Sequence, residues 1–415
     1  MKILPIILLL AFSLSGRAQK QIYIPEDLQG MDLQSDTSRW SLRRSVQTDD
    51  IIVMWERGFG ADPANPPRLE GKPMSFDVGQ LTSRVQSFYD FYRDTLQFLQ
   101  PGSNAERYKM MVMVNYSLEG TAYGGTYDNR IGALWVAPNR IQDRTMNCMA
   151  HELGHSFQLQ IPADGAGEAW GGSPFYEMTS QWMLWQVNPN WLHDEYYHFE
   201  AFRNLTHKAY LHMENIYHSP YVIQWWSDLR GRPSIARLYR EGRRGEDPVM
   251  TYKRLYGLSQ EQFCDEMFRG YQHLLNFDFH HARRETRPYA CTFSSEVETL
   301  SDGWQQPVNA PEAYGFNAIK LDWMLAGGRQ PRKLRLQFQG EQLRYGFVAV
   351  TADGQQSVYS PINAGKFRLP KGTTHLYLLV MGAPDEHVQL AKPGRKQMQT
   401  EPPSFPYRFK IKPVY

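Results

Sequence analysis

Cysteine is scarce in this chain of 415 residues, which contains only three. An odd number leaves at least one thiol unpaired. A disulfide between Cys264 and Cys291 is possible, but the sequence does not decide whether it forms. The chain also lacks an excess of charge of one sign. Its 45 lysines and arginines nearly balance its 43 acidic residues, and the formal net charge is +2. This near-neutral balance predicts that neither nucleic acid nor an anionic membrane surface is a partner.

Long hydrophobic runs are also missing after the N-terminus, so no membrane-spanning segment is predicted. The first residues differ from the rest. Lys2 precedes an apolar run over residues 3–14, and Gly16 and Ala18 place small side chains where signal peptidases favour them. We therefore predict a signal peptide over residues 1–18, cleavage near Ala18, and a secreted or periplasmic mature protein.

The mature chain, about 400 residues long, exceeds what one hydrophobic core usually serves, which predicts more than one domain. Helical periodicity dominates from residue 140 to about residue 277, whereas beyond residue 290 side chains alternate with period two, as in Leu334, Leu336 and Phe338. The fold class is therefore α+β. The predicted units are an N-terminal arm at 19–49, a domain at 50–285 with a mostly helical C-terminal half, and an all-β, sandwich-like domain at 286–415.

Three strands are predicted in the first domain, at 51–55, 108–116 and 131–136. Helices are predicted at 77–99, 140–160, 173–187, 194–213, 219–229, 233–241, 247–256 and 259–276. The helix at 173 has a clear start, because Ser173 can cap it and Pro174 suits its first position.

The pattern H-E-x-x-H lies within the helix predicted at 140–160, from His151 to His155. Residues four apart share one face of a helix, so both imidazoles can reach one metal ion. Glu152 lies close enough to act on a water that zinc activates. Cys148 precedes the motif, and we expect it on a different helix face, as a small buried residue rather than a ligand.

Two histidines leave a catalytic zinc ion one protein ligand short. A third histidine six residues further on is ruled out, because Ile161 stands there. Glu168 lies in a glycine-rich loop, and Glu177 lies in the first turn of the helix predicted at 173–187. We prefer Glu177, because a helix holds a ligand more rigidly than a loop does, and Asp164 is the weakest alternative.

The sequence H-E-L-G-H followed by Glu177 resembles the gluzincin metallopeptidases, and it fits the pattern of the enhancin-like, mucin-directed peptidases. This resemblance implies a zincin-like domain in which His151, His155 and Glu177 bind zinc and Glu152 is the general base. Thermolysin-like gluzincins place an acid where this chain has Gln181, which predicts different supporting partners for the ligands.

Most of the mature chain also resembles an uncharacterised family of secreted bacterial proteins, sometimes labelled avirulence proteins. The stretches that carry this second resemblance are 121–125, 131–136, 151–158 and 345–348. It implies export, and it brings little biochemistry with it.

These roles predict a zinc-dependent metallopeptidase that hydrolyses peptide bonds of protein or glycoprotein substrates. The oxygen that becomes negative in the reaction needs a hydrogen-bond donor besides zinc, and Tyr217, His218 and Tyr127 are the candidates. The strand at 131–136 is expected to line the cleft and to pair with extended substrate.

Other functions remain open at this point. The same site could act on something other than a peptide, or the chain could be a secreted adhesion or interaction protein with a vestigial zinc site. Glycan contact through the C-terminal domain is also open, although no residue there identifies a ligand. A group of tryptophans in the helical part is interpreted as core packing rather than as a sugar-stacking surface. Its members are Trp182, Trp185, Trp191, Trp225 and Trp226.

Overall fold

The computed structural model describes residues 19–326, 330–351, 356–390 and 400–415. The predicted signal peptide and its cleavage point near Ala18 lie outside these residues. Within them the chain has the α+β fold that its sequence predicts, with one sheet in the N-terminal part and two sheets in the C-terminal part. No helix in the described ranges is both long enough and apolar enough to cross a bilayer.

A five-stranded sheet underlies the N-terminal part. Its strands are β1 (Ser45–Gln47), β2 (Ile51–Trp55), β3 (Met110–Val114), β4 (Ala122–Tyr127) and β5 (Ile131–Val136). They lie in the order β1-β2-β3-β5-β4, with parallel pairing from β2 to β5 and antiparallel pairing at both margins. Strands β2 and β3 are buried along their whole length, which is why both read as continuous apolar runs.

The edge strand beside the site is β4, and the expectation that residues 131–136 pair with substrate is wrong. Strand β5 runs between β3 and β4, so its backbone is already paired on both sides. The sequence did not indicate β4 because Gly124 and Gly125 lower its β propensity.

Helices pack on this sheet and continue the chain beyond it. Helix α1 extends into a π-helical segment over Phe91–Thr95. The bounds are α1 (Val78–Asp90), α2 (Asn104–Arg107), α3 (Asn147–Ala163), α4 (Pro174–Val187), α5 (Trp191–Asp194), α6 (Tyr196–Asn204), α7 (Tyr221–Arg230), α8 (Pro233–Glu241), α9 (Pro248–Tyr256), α10 (Gln260–Leu274) and α11 (Arg283–Thr286). Helices α4 and α7–α10 agree with the predicted ranges to within two residues.

Three helices are shorter than predicted. Helix α1 with its π-helical extension ends at Thr95 rather than near residue 99, and Gln97 then has a left-handed backbone. The site helix α3 begins at Asn147 rather than near residue 140, because Met146 has a left-handed backbone, with φ at 53°, that interrupts a right-handed helix. Helix α6 ends at Asn204 rather than near residue 213, since Leu205 leaves the helical conformation.

The N-terminal arm packs against the first sheet and α1. Lys20 Nζ donates to Asp50 Oδ1 at 2.5 Å and to the Tyr89 hydroxyl at 3.0 Å. Arg93 Nη1 also donates to Asp50, and strand β1 of the arm pairs with β2. The arm is thus part of the sheet and its polar margin.

The C-terminal part forms two antiparallel sheets, as its alternating pattern predicts. The strands are β6 (Val297–Thr299), β7 (Gln305–Pro307), β8 (Phe316–Lys320), β9 (Lys333–Gln339), β10 (Leu343–Thr351), β11 (Ser357–Tyr359), β12 (Lys366–Arg368), β13 (Thr373–Gly382) and β14 (Arg408–Val414). One sheet has the order β11-β10-β13-β8 and the other β12-β9-β14-β7-β6. Phe347 on β10 and Phe367 on β12 stack with ring centroids 5.5 Å apart, which joins the two sheets in one core.

The helical part and the sandwich share a packed interface. Helix α10 lies against β10 and β13. The Tyr271 hydroxyl on α10 donates to the Tyr314 carbonyl at 2.7 Å, and His387 Nε2 lies 2.6 Å from Asp247 Oδ2. The side chains of His387 and Asp247 are both less than one-tenth exposed, at 8% and 5%.

Candidate metal centre and its cavity

Helices α3 and α4 come close together at the H-E-x-x-H motif. Gly154 faces Ser180, and a Cβ atom at Gly154 would collide with the Ser180 hydroxyl. That hydroxyl instead donates to the His151 carbonyl. Ser173 caps the start of α4 by accepting from the Tyr176 N–H. The first turn of α4 carries Glu177, whose carboxylate contacts both histidines of α3.

Three side-chain atoms converge on one point between these helices. Glu177 Oε2 lies 3.1 Å from His151 Nε2 and 2.9 Å from His155 Nε2. The two Nε2 atoms are 3.0 Å apart. These side chains are 12%, 6% and 15% exposed, in the order His151, His155 and Glu177. Tetrahedral zinc ligands lie about 3.4 Å from one another, so small movements would bring these three atoms to that spacing.

Each histidine is held from behind by a glutamine amide. His151 Nδ1 lies 3.1 Å from Gln181 Oε1, and His155 Nδ1 lies 2.7 Å from Gln158 Oε1. The orientation of each glutamine amide follows from its second hydrogen bond. Gln181 Nε2 donates to the Tyr217 carbonyl, and Gln158 Nε2 donates to the Tyr176 carbonyl.

The amide orientation settles the histidine tautomers. A carbonyl oxygen can only accept, so both imidazoles carry their hydrogen on Nδ1 and turn an unprotonated Nε2 toward the convergence point when neutral. Two nitrogen lone pairs and one carboxylate oxygen form a donor set that suits zinc. The side chains present therefore fit a single metal ion, held by His151, His155 and Glu177.

Electrostatics favour a charged glutamate at this point. Burial alone would raise the pKa of the Glu177 carboxyl, but hydrogen bonds and charge from His151 and His155 hold it well below its ordinary range. Burial opposes protonation of His151, yet its hydrogen bond with Glu177 and the nearby Glu152 raise its pKa. Glu177 is therefore an anion across the physiological range.

Glu152 leans from α3 toward the edge strand. Its Oε2 accepts from the Gly124 N–H at 2.7 Å, and its Oε1 has no hydrogen-bond partner among the residues described. A Cβ atom at Gly124 would overlap the Glu152 carbonyl, so only glycine allows β4 to approach α3 this closely. A glycine inside a strand is the sequence signal that could have revealed this contact.

Glu168 and Asp164, the two alternative third ligands, have other hydrogen-bond partners. Glu168 Oε1 accepts from the backbone N–H groups of Ala169 and Trp170, within its own loop. Asp164 accepts from Ser103 Oγ at 2.6 Å and from the Asn104 N–H at 2.9 Å, at the start of α2. Neither belongs to the group of convergent ligand atoms.

Of the three predicted oxyanion donors, the structure brings Tyr217 to the site. Its ring lies 6.2 Å from that of His151, and burial together with Glu177 and Glu152 raises its pKa to about 12, so the hydroxyl stays protonated. His218 lies behind the site, with Nδ1 2.8 Å from His198 Nδ1. The Tyr127 hydroxyl accepts from Trp135 Nε1, and Tyr127 does not line the cavity at the motif. Assigning His218 and Tyr127 to that role does not fit this geometry.

A cavity of about 370 Å³ opens beside His151 and Glu152. Cys148 lines it, so the expectation that Cys148 lies on another helix face is wrong, because seven residues are close to two full turns and align it with His155. Residues that the sequence did not single out complete the cavity wall. They are Gly120, Ala122, Arg140, Asn147, Leu184, Glu195 and Tyr197. Gln181 and Tyr217, which the sequence did single out, also line the cavity.

The tryptophan group and two of the three cysteines belong to the interior. All five grouped tryptophans are at most 8% exposed, in agreement with core packing. Cys264 and Cys291 are buried and unpaired, so no bridge joins them, and Cys148 is also a free thiol.

The fold and the convergent side chains define a candidate H-E-x-x-H metal centre in an α+β protein. The chain belongs to a family of unknown function, DUF6055, whose sequence pattern matches residues 15–414. No curated protein matches the sequence. Among solved structures, it is similar to the ZmpB metallopeptidase from Clostridium perfringens, with 14% identity and a TM-score of 0.33. The similarity covers 81% of this chain and 65% of that chain, less than two thirds of its length.

Proposed function

We propose that this protein is an exported zinc metallopeptidase that hydrolyses peptide bonds of protein or glycoprotein substrates. The observation that carries the proposal is the convergence of His151 Nε2, His155 Nε2 and Glu177 Oε2 within 3.1 Å of one another, with Glu152 beside them. Bound zinc would supply Lewis-acid chemistry, polarising a carbonyl and lowering the pKa of a water molecule.

Glu152 is suited to the role of general base. Its Oε2 is held by the Gly124 N–H, which leaves Oε1 free to accept a proton from the attacking water. The same carboxyl can then deliver that proton to the leaving nitrogen. Tyr217, protonated at neutral pH and without a hydrogen-bond partner for its hydroxyl among the described residues, can donate to the developing oxyanion.

Strand β4 supports the choice of an extended peptide as substrate. Its backbone pairs with β5 on one side, and in the described part of the chain no strand pairs with its other side. Such an edge can hydrogen-bond an extended chain, and Gly124 places it directly beside Glu152. If the substrate is a glycoprotein, we also propose that the C-terminal sandwich contacts its glycans.

Peptide cleavage by the zinc-loaded mature protein tests this function. Casein, mucin and a peptide library are incubated with the protein, with and without a chelator, and new N-termini are identified by mass spectrometry. We expect cleavage that the chelator abolishes and that zinc restores. If zinc-loaded protein cleaves none of these substrates, the interaction-protein alternative replaces the peptidase.

A further inference from the structure

A carboxylate lines the cavity beside the candidate metal centre and has no role in the chemistry proposed above. Glu195 precedes α6, and its side chain is 21% exposed. Asn147 Nδ2 donates to its Oε1 at 3.1 Å, and Trp191 Nε1 donates to its Oε2 at 2.8 Å. These two neutral donors fix the carboxylate in place without neutralising its charge.

No lysine or arginine of the described residues forms an ion pair with Glu195. The nearest titratable nitrogen is His198 Nε2, 3.6 Å from Glu195 Oε2. That nitrogen accepts from Gln181 Nε2, because the Gln181 carbonyl oxygen is occupied by His151, and burial lowers the pKa of His198 to about 3. His198 is therefore neutral, and a largely buried carboxylate remains without a counter-charge, which is a costly arrangement.

Arg140 does not supply the counter-charge either. It is exposed at the rim of the cavity, and its Nε donates to the Gly120 carbonyl at 2.8 Å. No ion pair joins it to Glu195.

The rest of the wall suits an alkyl chain that ends in a cation. Cys148 contributes weakly polar surface, and the buried Leu184 lines the same wall. Tyr197 and Tyr217, 61% and 40% exposed, also line the cavity. Exposed tyrosine faces attract cations and pack along methylene groups, and a fixed carboxylate pairs with ammonium or guanidinium groups.

We propose that this cavity is a subsite for a lysine or arginine side chain of the substrate, next to the scissile bond, with Glu195 as its specificity-determining residue. The proposal rests on the proposed function for its substrate, but the subsite can be tested by binding alone.

The test uses zinc-loaded Glu152→Gln protein and fluorescent peptides of one sequence, in which each position in turn is lysine, arginine or norleucine. Norleucine keeps the alkyl chain and removes the charge. At one position we expect lysine or arginine to bind at least about tenfold more tightly than norleucine. Adding Glu195→Gln should reduce that ratio to less than about twofold while metal content stays unchanged.

Two further variants make the test specific. Glu200→Gln removes an exposed carboxylate on α6 that does not line the cavity, and it should keep the tenfold ratio. Arg140→Gln removes the positive charge at the rim and should strengthen binding of the lysine peptide, without disturbing any buried group.

Equal binding of lysine and norleucine peptides at every position overturns the subsite. A third set of peptides carries a hydroxyl or glycosylated residue at the same position. Tighter binding of these peptides than of the lysine peptide would also overturn the subsite, because it would assign the cavity to a sugar. Cleavage of the same peptides by wild-type protein is followed in parallel. If these peptides, casein, mucin and the peptide library all stay uncut, the peptidase is overturned, whereas the binding ratio would still decide the subsite.

Discussion

The backbone N–H of Gly124 donates to Oε2 of Glu152 across a distance of 2.7 Å. This contact connects the sheet edge to the site helix, because Gly124 lies on β4 and Glu152 on α3. It also determines how the carboxylate is presented, with one oxygen anchored and the other open to the cavity. Substitutions at either end of this bond therefore have separable effects.

Glu152→Gln should retain zinc and lose turnover by about 10²- to 10⁴-fold, because glutamine can still accept from Gly124 but cannot take a proton. Zinc content by atomic absorption and kcat on a cleaved peptide measure the two effects. Full activity in this variant would exclude Glu152 as the base.

Gly124→Ala should lower stability and activity together, because the added methyl group overlaps the Glu152 carbonyl and pushes β4 away from α3. A loss of about 1–3 kcal/mol in the free energy of unfolding is expected for overpacking of this kind. Gly102→Ala in an exposed turn serves as a comparison, since its Cβ would meet no atom within 4 Å and only its backbone conformation is strained. Equal activity in Gly124→Ala and wild type would contradict the close approach.

Removing a metal ligand should abolish tight zinc binding, whereas removing the loop glutamate should not. His151→Ala and Glu177→Ala each leave two protein ligands, and a site of two ligands holds zinc weakly. Glu168→Ala only breaks hydrogen bonds within its loop. Competition with a chromophoric chelator measures the affinities. A large loss in Glu168→Ala with none in Glu177→Ala would reverse the assignment.

The supporting glutamines should control metal affinity without touching the metal. Gln181→Leu frees His151 Nδ1 of its acceptor, so we expect a loss of zinc affinity of about 10- to 100-fold. Gln181→Glu restores an acceptor and should restore most of that affinity. Gln186→Leu alters a buried amide on the same helix that bonds Gln224, and should change stability but not zinc affinity. If Gln181→Leu binds zinc as tightly as wild type, a group other than Gln181 fixes the tautomer of His151.

The buried His198 should make the protein sensitive to acid. Burial, with smaller contributions from His218 and His151, lowers its pKa to about 3, against about 6.5 in an unfolded chain. A depressed histidine pKa means that the unfolded state binds more protons, so stability is complete above pH 6.5 and falls as the pH decreases toward 3.

Between pH 7 and pH 5, the native state should therefore lose about 1–2 kcal/mol of stability through His198. Urea unfolding of metal-free wild type and of His198→Gln at both pH values measures this difference. If both proteins lose the same stability on acidification, His198 is not the group responsible.

The hydrogen bond between His387 and Asp247 should hold the sandwich against the helical part. Both side chains are buried, so His387→Ala should cost about 1–3 kcal/mol by removing one of the two partners of a buried carboxylate, which keeps its hydrogen bond from the Met250 N–H. His375→Ala removes the partner of Asp322 within the sandwich, where these two side chains are 40% and 28% exposed, and should cost less than about 1 kcal/mol. Thermal unfolding of both variants gives the comparison, and equal losses would contradict it.

The sequence was sufficient for those parts of the fold that depend on local signals. Helix α4 has a serine cap and a proline at its first position, and its start follows from these two residues. The alternation of Leu334 and Leu336 with Arg335 likewise predicts a strand with one buried face.

Other features depend on contacts distant in sequence and could not be predicted. Strand β4 is a strand because it pairs with β5, against the local preference of its glycines. Glu195 reaches the cavity only because α5 and α6 fold back beside α3, far along the chain from the motif, and no local pattern marks it. The pair His151 and His155 was predictable because helix geometry alone brings them together.

The uneven distribution of tryptophan has an optical consequence. Nine of the eleven tryptophans precede residue 227, and two of them, Trp182 and Trp185, lie on the helix that carries Glu177. The sandwich contains only Trp304 and Trp323, and the second is 65% exposed. Intrinsic fluorescence therefore reports mainly on the part of the chain before the sandwich, including α4, while unfolding of the sandwich would change the emission little.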